Sequence, residues 1–247
     1  MTCCAVIPAA GRGTRLGLAL PKILAPLNDS QTIWSVLRGK LLDVVDRVHV
    51  VLSPEGEPAF RSVVSDDPCN DRISTSVQQM PIGMGDALFG CHEYWGWADK
   101  VLVIWGDQVF VSPQTLSAAL LLHAQAPKRL VLPVTSLAQP YVEFVFDASG
   151  GLAEVRQSRE GDVCTAGGWN DVGTFVLSTG ELKQAWDNYL LEASPGKKTG
   201  EVNFLPFLPF LAAHGWDVCR LVVTDSREAR GVNTNDDLEF FRSLLRQ

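Results

Sequence analysis

The chain has 247 residues, 46% of them apolar and 20% charged, which is enough to bury a large core and excludes a disordered or low-complexity protein. Its net charge of −7 excludes a general nucleic-acid binder while leaving room for a local basic pocket that takes phosphates. No apolar run reaches membrane-spanning length, no charged leader precedes the first strand, and the six cysteines form no C-x-x-C pair, so reduced thiols and a cytoplasmic location are expected.

The first predicted strand is Cys4-Ala5-Val6-Ile7, and the loop behind it carries Gly11 and Gly13, with basic residues at Arg12, Arg15 and Lys22. Glycines after a first strand let backbone N–H groups come close to a polyphosphate, and the basic side chains supply the opposing charge. This predicts a nucleotide-phosphate site. Leu16 stands where a dinucleotide fingerprint has its third glycine, and no Gly-Lys-Ser/Thr triplet follows Gly13, so neither of those two loops is present.

Helical spacing of Ile33, Val36, Leu37 and Leu41 and the apolar run 48–52 complete a parallel strand-helix-strand unit, with His49 as a core histidine. A short helix is expected around 60–64. The alternating stretch 74–79 reads as a strand that runs into Gly83-Met84-Gly85 and a helix through Leu88. Gln78 ends that strand, and a carboxamide, offering both donor and acceptor, can read a base edge. The most apolar strand, 101–105, ends in Gly106-Asp107, which puts a carboxylate where open α/β sheets bind ligands. Asp107 is therefore a candidate ligand for Mg²⁺, an ion that takes few protein carboxylates alongside substrate phosphates. Trp95-Gly96-Trp97 is expected to cap the core beside the Leu88 helix.

Ser112-Pro113 opens the next helix, in which His123 reads as a charge at the C-terminal end. A strand at 130–134 follows. Residues 141–146 and 152–157 alternate around a turn and predict a hairpin. Beyond it the pattern predicts a strand over 171–177, a helix over 181–191, a helix over 204–214 interrupted by Pro206 and Pro209, a strand over 217–223, and a terminal helix.

Four stretches together carry a likeness: Gly11-x-Gly13-Thr14-Arg15-Leu16 with Pro21-Lys22; Gln78 five residues before Gly83-x-Gly85; Gly106-Asp107; and Gly231-Val232-Asn233 ahead of Asp237-Leu238. They resemble the sugar-1-phosphate nucleotidyltransferase family, and within it most of all the uridylyltransferase branch. The resemblance implies an α/β fold, a Rossmann-like mixed, mostly parallel sheet flanked by helices, with a small β-rich acceptor subdomain. It implies Arg15 and Lys22 as catalytic residues, and Ala9, Ala10, Gly11, Arg12, Gly13, Thr14, Gln78, Gly83 and Gly85 as nucleotide-binding. Mg²⁺ would sit on Asp107 and Asn233, while Asp236 and Asp237 belong to the first turn of the last helix.

The acceptor side is expected to use Gln157, Asp171, Gly173, Glu201 and Asn203. Here the chain departs from the branch it resembles: Val142 replaces a glycine, Gln157 a glutamate, Asp171-Val172-Gly173 an Asn-Thr-Gly, and Asn203 a tyrosine. Asp86 likewise replaces a histidine on the nucleotide side. These departures point away from N-acetylglucosamine 1-phosphate as acceptor. A single unit over 1–247 is expected, divided into a nucleotide-binding half (1–135), an acceptor-binding half (136–230) and a metal motif with terminal helix (231–247), without the hexapeptide-repeat acetyltransferase domain of bifunctional relatives.

The expected partners are a nucleoside triphosphate and a sugar 1-phosphate, with no nucleic acid and no membrane. The expected reaction joins a pyrimidine triphosphate, UTP first, to that acceptor and releases pyrophosphate. Two alternatives stay open, a CTP-dependent cytidylyltransferase acting on a non-sugar phosphate or phosphonate, and a non-catalytic nucleotide-sugar-binding regulator.

Overall fold

The computed structural model describes residues 1–11, 20–80 and 82–245. In chain order the strands are β1 (Cys3–Pro8), β2 (Arg47–Leu52), β3 (Ile73–Val77), β4 (Lys100–Ile104), β5 (Arg129–Ser136), β6 (Val142–Phe146), β7 (Leu152–Gln157), β8 (Trp169–Asp171), β9 (Thr174–Ser178) and β10 (Asp217–Val222). The helices are α1 (Ile33–Leu42), α2 (Glu57–Ser65), α3 (Met84–Gly90), α4 (Pro113–His123), α5 (Leu182–Glu192), α6 (Phe207–Ala213) and α7 (Asn235–Leu245).

All these strands join one mixed sheet in the order β3-β2-β1-β4-β9-β5-β8-β6-β7, with β10 added alongside β5. The first four run parallel, and β9 enters antiparallel to both β4 and β5. Strand β5 crosses the 135/136 boundary, so the two expected halves share a single sheet.

Strand β1 is buried on both faces, as its unbroken apolar run requires of a central parallel strand. Cys3, Ala5 and Ile7 pack with α1, α2, α4 and α7, while Cys4 and Val6 pack with α3, α5 and α6. Period-two alternation thus feeds two cores, one on each side of the sheet. Cys3, Cys4 and Cys91 are buried free thiols whose pKa values burial pushes up to about 12. Among the described residues no helix is long and apolar enough to cross a membrane.

His49 is buried between the Ser74 and Ser76 hydroxyls, at 2.8 and 2.9 Å, and stacks on Tyr94. Trp95 is buried and donates its indole N–H to Leu88. Three local expectations are corrected. The stretch 171–177 is two strands, because Gly173 turns the chain at φ +73° and the Asp171 carboxylate accepts its N–H. Helix α6 begins after Pro206, and Pro209 lies in its first turn, where a missing N–H costs nothing. His123 is buried against Ser178 Oγ, and desolvation lowers its pKa to about 4, so it is a neutral packing residue and not a helix-end charge.

Candidate active site

Because β1, β3 and β4 run parallel, their carboxyl ends share one edge of the sheet, and a cavity of about 580 Å³ opens there. Ala9, Ala10, Gly11, Lys22, Gln78, Gly83 and Asp107 line it from the first half of the chain, joined by Asn233 from near its end. Gln157, Asp171 and Glu201 line it from the strands and loops of the second half. The expected residues Arg12, Gly13, Thr14 and Arg15 lie outside the described residues.

Three distant segments meet on the cavity lining in an ion pair with an added amide contact. Lys22 Nζ donates to Asp107 Oδ2 at 2.7 Å and to Asn233 Oδ1 at 2.8 Å. Lys22 opens a short 3-10 turn after Pro21, anchored by the buried side chains of Ile23 and Leu24. Asp107 follows β4 through Gly106, which lies close against the end of β1: a Cβ there would be 3.1 Å from Ala9 Cβ and 3.2 Å from Pro8 O. Gly231 presses against the Asp107 carboxylate so closely that a Cβ would come within 2.9 Å of it, and Val232 N–H donates to Asp107 O.

Asn233 is positioned from behind. Its N–H donates to Asp237 Oδ2 at 2.8 Å, and Arg230 Nε donates to Asp237 Oδ1 at 2.7 Å. Asp237 is therefore a first-turn capping residue of α7, as expected, and its contacts hold its carboxyl below the usual range. Gln78 Nε2 donates to Gly83 O and to Asp86 Oδ2, at 3.0 and 2.8 Å. Its carbonyl oxygen is then the group left to accept from a ligand. Gly83 itself has φ +134°, and a Cβ there would lie 2.8 Å from Val202 O.

Three predicted residues stand behind the cavity wall. Gly85 packs on the Trp186 ring, where a Cβ would come within 2.1 Å, so its smallness serves the core. Gly173 backs onto the Gln108 side chain, which fills the space a Cβ would need. Asn203 is buried and braces its neighbours, donating to Glu160 Oε1 at 3.1 Å and accepting from the Arg159 guanidinium.

That brace was not anticipated from the sequence. Glu160 is buried and accepts from Lys198 N–H at 2.9 Å and Thr199 Oγ1 at 2.6 Å, contacts that hold its carboxyl down at about 2. It lies 3.9 Å from Arg159, which lines the cavity and faces Glu201 at 3.8 Å. Asn170 supports the same wall, accepting the Tyr141 and Val142 N–H groups at 3.2 and 3.1 Å. Asp171 is buried, and loss of hydration pushes its pKa up to about 6 against the pull of the Gly173 N–H. Lys40 was also missed. It reaches from α1 to Val109 O at 2.5 Å and Val111 O at 2.8 Å, tying down the loop after Asp107, and burial lowers its pKa to about 8.

A solved structure from Bacillus anthracis, described as a glucose-1-phosphate thymidylyltransferase in complex with a sucrose, superposes with a TM-score of 0.78, covering 100% of this chain and 96% of that one at 16% identity. The two chains share this mixed, mostly parallel α/β fold, and the class, nucleotidyltransferase, comes from the family match. Residues 5–169 match the MobA-like NTP transferase domain, and the chain belongs to that family. It is 30% identical over 236 residues to the bifunctional protein GlmU of Acidithiobacillus ferrooxidans, and 27% identical over 236 residues to that of Pseudomonas fluorescens. Those alignments cover 92% and 94% of this chain but 48% and 49% of the relatives, so the chain spans about half their length.

Proposed function

We propose that this chain transfers a nucleoside monophosphate from a pyrimidine triphosphate, UTP first, to a sugar 1-phosphate, releasing pyrophosphate. The observation that carries the reading is the meeting of Lys22, Asp107 and Asn233 in a cavity that Gln78 and Arg159 also line. Phosphate oxygens of such an acceptor are already deprotonated at neutral pH, so no general base is required. One acceptor oxygen forms a bond to the α-phosphorus while the bond from that phosphorus to the bridging oxygen of the β-phosphate breaks. Catalysis is then positioning and charge stabilisation.

In this reading the backbone at Ala10 and Gly11 meets the phosphates, Arg15 holds the leaving pyrophosphate, and the Lys22 ammonium serves the α-phosphate and the incoming oxygen. The Gln78 carbonyl accepts N3–H of uracil or thymine, or the amino group of cytosine. Asp107 and Asn233 suit Mg²⁺: both offer hard oxygen donors, and both already converge on a cation, the Lys22 ammonium. Bound there, the ion supplies neutralisation of polyphosphate charge. Residues Gln157, Arg159, Asp171 and Glu201 receive the acceptor.

Pyrophosphate release tests the proposal, using the purified chain with Mg²⁺ and a matrix of UTP, CTP, dTTP, ATP and GTP against sugar 1-phosphates, phosphocholine and simple phosphonates. Release that requires a pyrimidine triphosphate and a sugar 1-phosphate together is expected. Release with CTP and a non-sugar phosphate alone would move the assignment to a cytidylyltransferase, and nucleotide binding without release across the matrix would favour a regulator.

A further inference from the structure

The Lys22 ammonium rests on both residues that the proposed reading gives to a metal ion, Asp107 and Asn233. Its contacts at 2.7 and 2.8 Å engage one oxygen from each residue. The segments that carry the two oxygens are held from behind: Gly231 packs on the Asp107 carboxylate, Val232 N–H ties the Asp107 backbone, and Asp237 accepts the Asn233 N–H. Lys22 is the movable member, a point charge on a flexible four-carbon stem whose neighbours Ile23 and Leu24 anchor only its backbone. An ammonium already bonded to those two oxygens opposes a divalent ion there, since the two cations repel each other at short range.

We infer that Lys22 is a built-in counter-cation, filling the Asp107–Asn233 site until a divalent ion arrives with the nucleotide and displaces it. The inference rests on the proposed reading of this site as a nucleotidyl-transfer centre. Free metal gains only two protein oxygens there and must evict a paired ammonium from a partly buried acid. Metal arriving with a nucleotide brings phosphate oxygens that complete its own coordination and give Lys22 a new anionic partner. The two ligands are thereby coupled: each favours the state in which Lys22 has left Asp107. Lys22 thus has two alternating partners, the acid in the resting protein and the phosphates in the loaded one.

Direct binding of Mn²⁺ as a spectroscopic probe, followed by electron paramagnetic resonance, tests this without any turnover. The wild-type chain should take up Mn²⁺ weakly alone and at least tenfold more tightly with the α,β-methylene analogue of UTP. Lys22→Met should bind Mn²⁺ at least tenfold more tightly than wild type in the absence of nucleotide, and adding Asp107→Asn should abolish that gain. Equal nucleotide-free affinity in wild type and Lys22→Met overturns the inference and leaves the transferase reading standing. No uptake by either chain, even with the analogue, overturns both. A second readout needs no variant: acetylation of Lys22 in the wild-type chain, read by peptide mass spectrometry, should quicken several-fold at saturating Mn²⁺, and an unchanged rate overturns the displacement.

Discussion

The two walls of the cavity are built in different ways. One wall, which the proposed reading gives to the nucleotide, is made at the ends of parallel strands, where Ala9 to Gly11, Gln78 and Asp107 are placed by sheet geometry and by glycines that admit close backbone approach. The other wall, which that reading gives to the acceptor, is made by side chains on a hairpin, on the short strand β8 with Asn170, and on loops, and is held from behind by Glu160 and Asn203. A wall of backbone needs particular residues in a particular local order. A wall of braced side chains needs partners that are distant in sequence, such as Glu160 and Asn203, and it can be refitted to another acceptor without disturbing the sheet.

Four substitutions separate the walls, and the largest effect is expected on the nucleotide side. Lys22→Ala should lower turnover by about 10²–10³, the scale of losing one preorganised charged donor. Pyrophosphate release measures it, and near-normal turnover would remove Lys22 from the chemistry.

Next comes Asp171 on the acceptor side, whose pKa is raised to about 6 by burial. Such a carboxyl costs the fold stability when charged, so the cost is present above about pH 6 and gone below the unfolded value near 4. Asp171→Asn should therefore raise stability above pH 6 by up to about 3 kcal/mol and change it little near pH 4. Urea unfolding at the two pH values gives the answer, and equal effects at both would mean that the carboxyl is not strained by burial.

Gly85→Ala sharpens the distinction between lining the cavity and supporting it. Overpacking against Trp186 should cost about 1–3 kcal/mol in chemical denaturation, with nucleotide affinity of the folded fraction unchanged. A selective loss of nucleotide affinity would return Gly85 to the binding surface. The smallest effect is expected from Glu160→Gln, which keeps the shape of the brace but removes its charge. The acceptor KM should rise about tenfold, the scale of weakening one charge-assisted contact, while the triphosphate KM stays put; a rise in both would show that the walls are not independent.

Much of the nucleotide wall was legible because its signals are local. Gly11, Lys22 and Gln78 sit beside strand ends that hydrophobic runs already mark, and Asp107 ends the most apolar strand in the chain. Asn233 was legible only through its likeness to a familiar motif; nothing in its own neighbourhood points to a lysine 211 positions away. The acceptor wall was read less well for a physical reason. Glu160 looks like an ordinary surface charge until Lys198, Thr199 and Asn203 close over it, and Arg159 acquires its direction from that closure. His123 was misread likewise, since only the packing of α4 against β9 removes it from water.

By itself the sequence determined most of the strand and helix order, the buried first strand and the chemistry available at the strand ends, because apolar periodicity and glycine placement act through neighbouring residues. Tertiary structure alone decided that 171–177 breaks at Gly173, that Gly85 and Asn203 support the cavity from behind, and that Lys22 rests on the oxygens of Asp107 and Asn233. Those outcomes depend on contacts between segments far apart in the chain, which exist only once the sheet has brought them together.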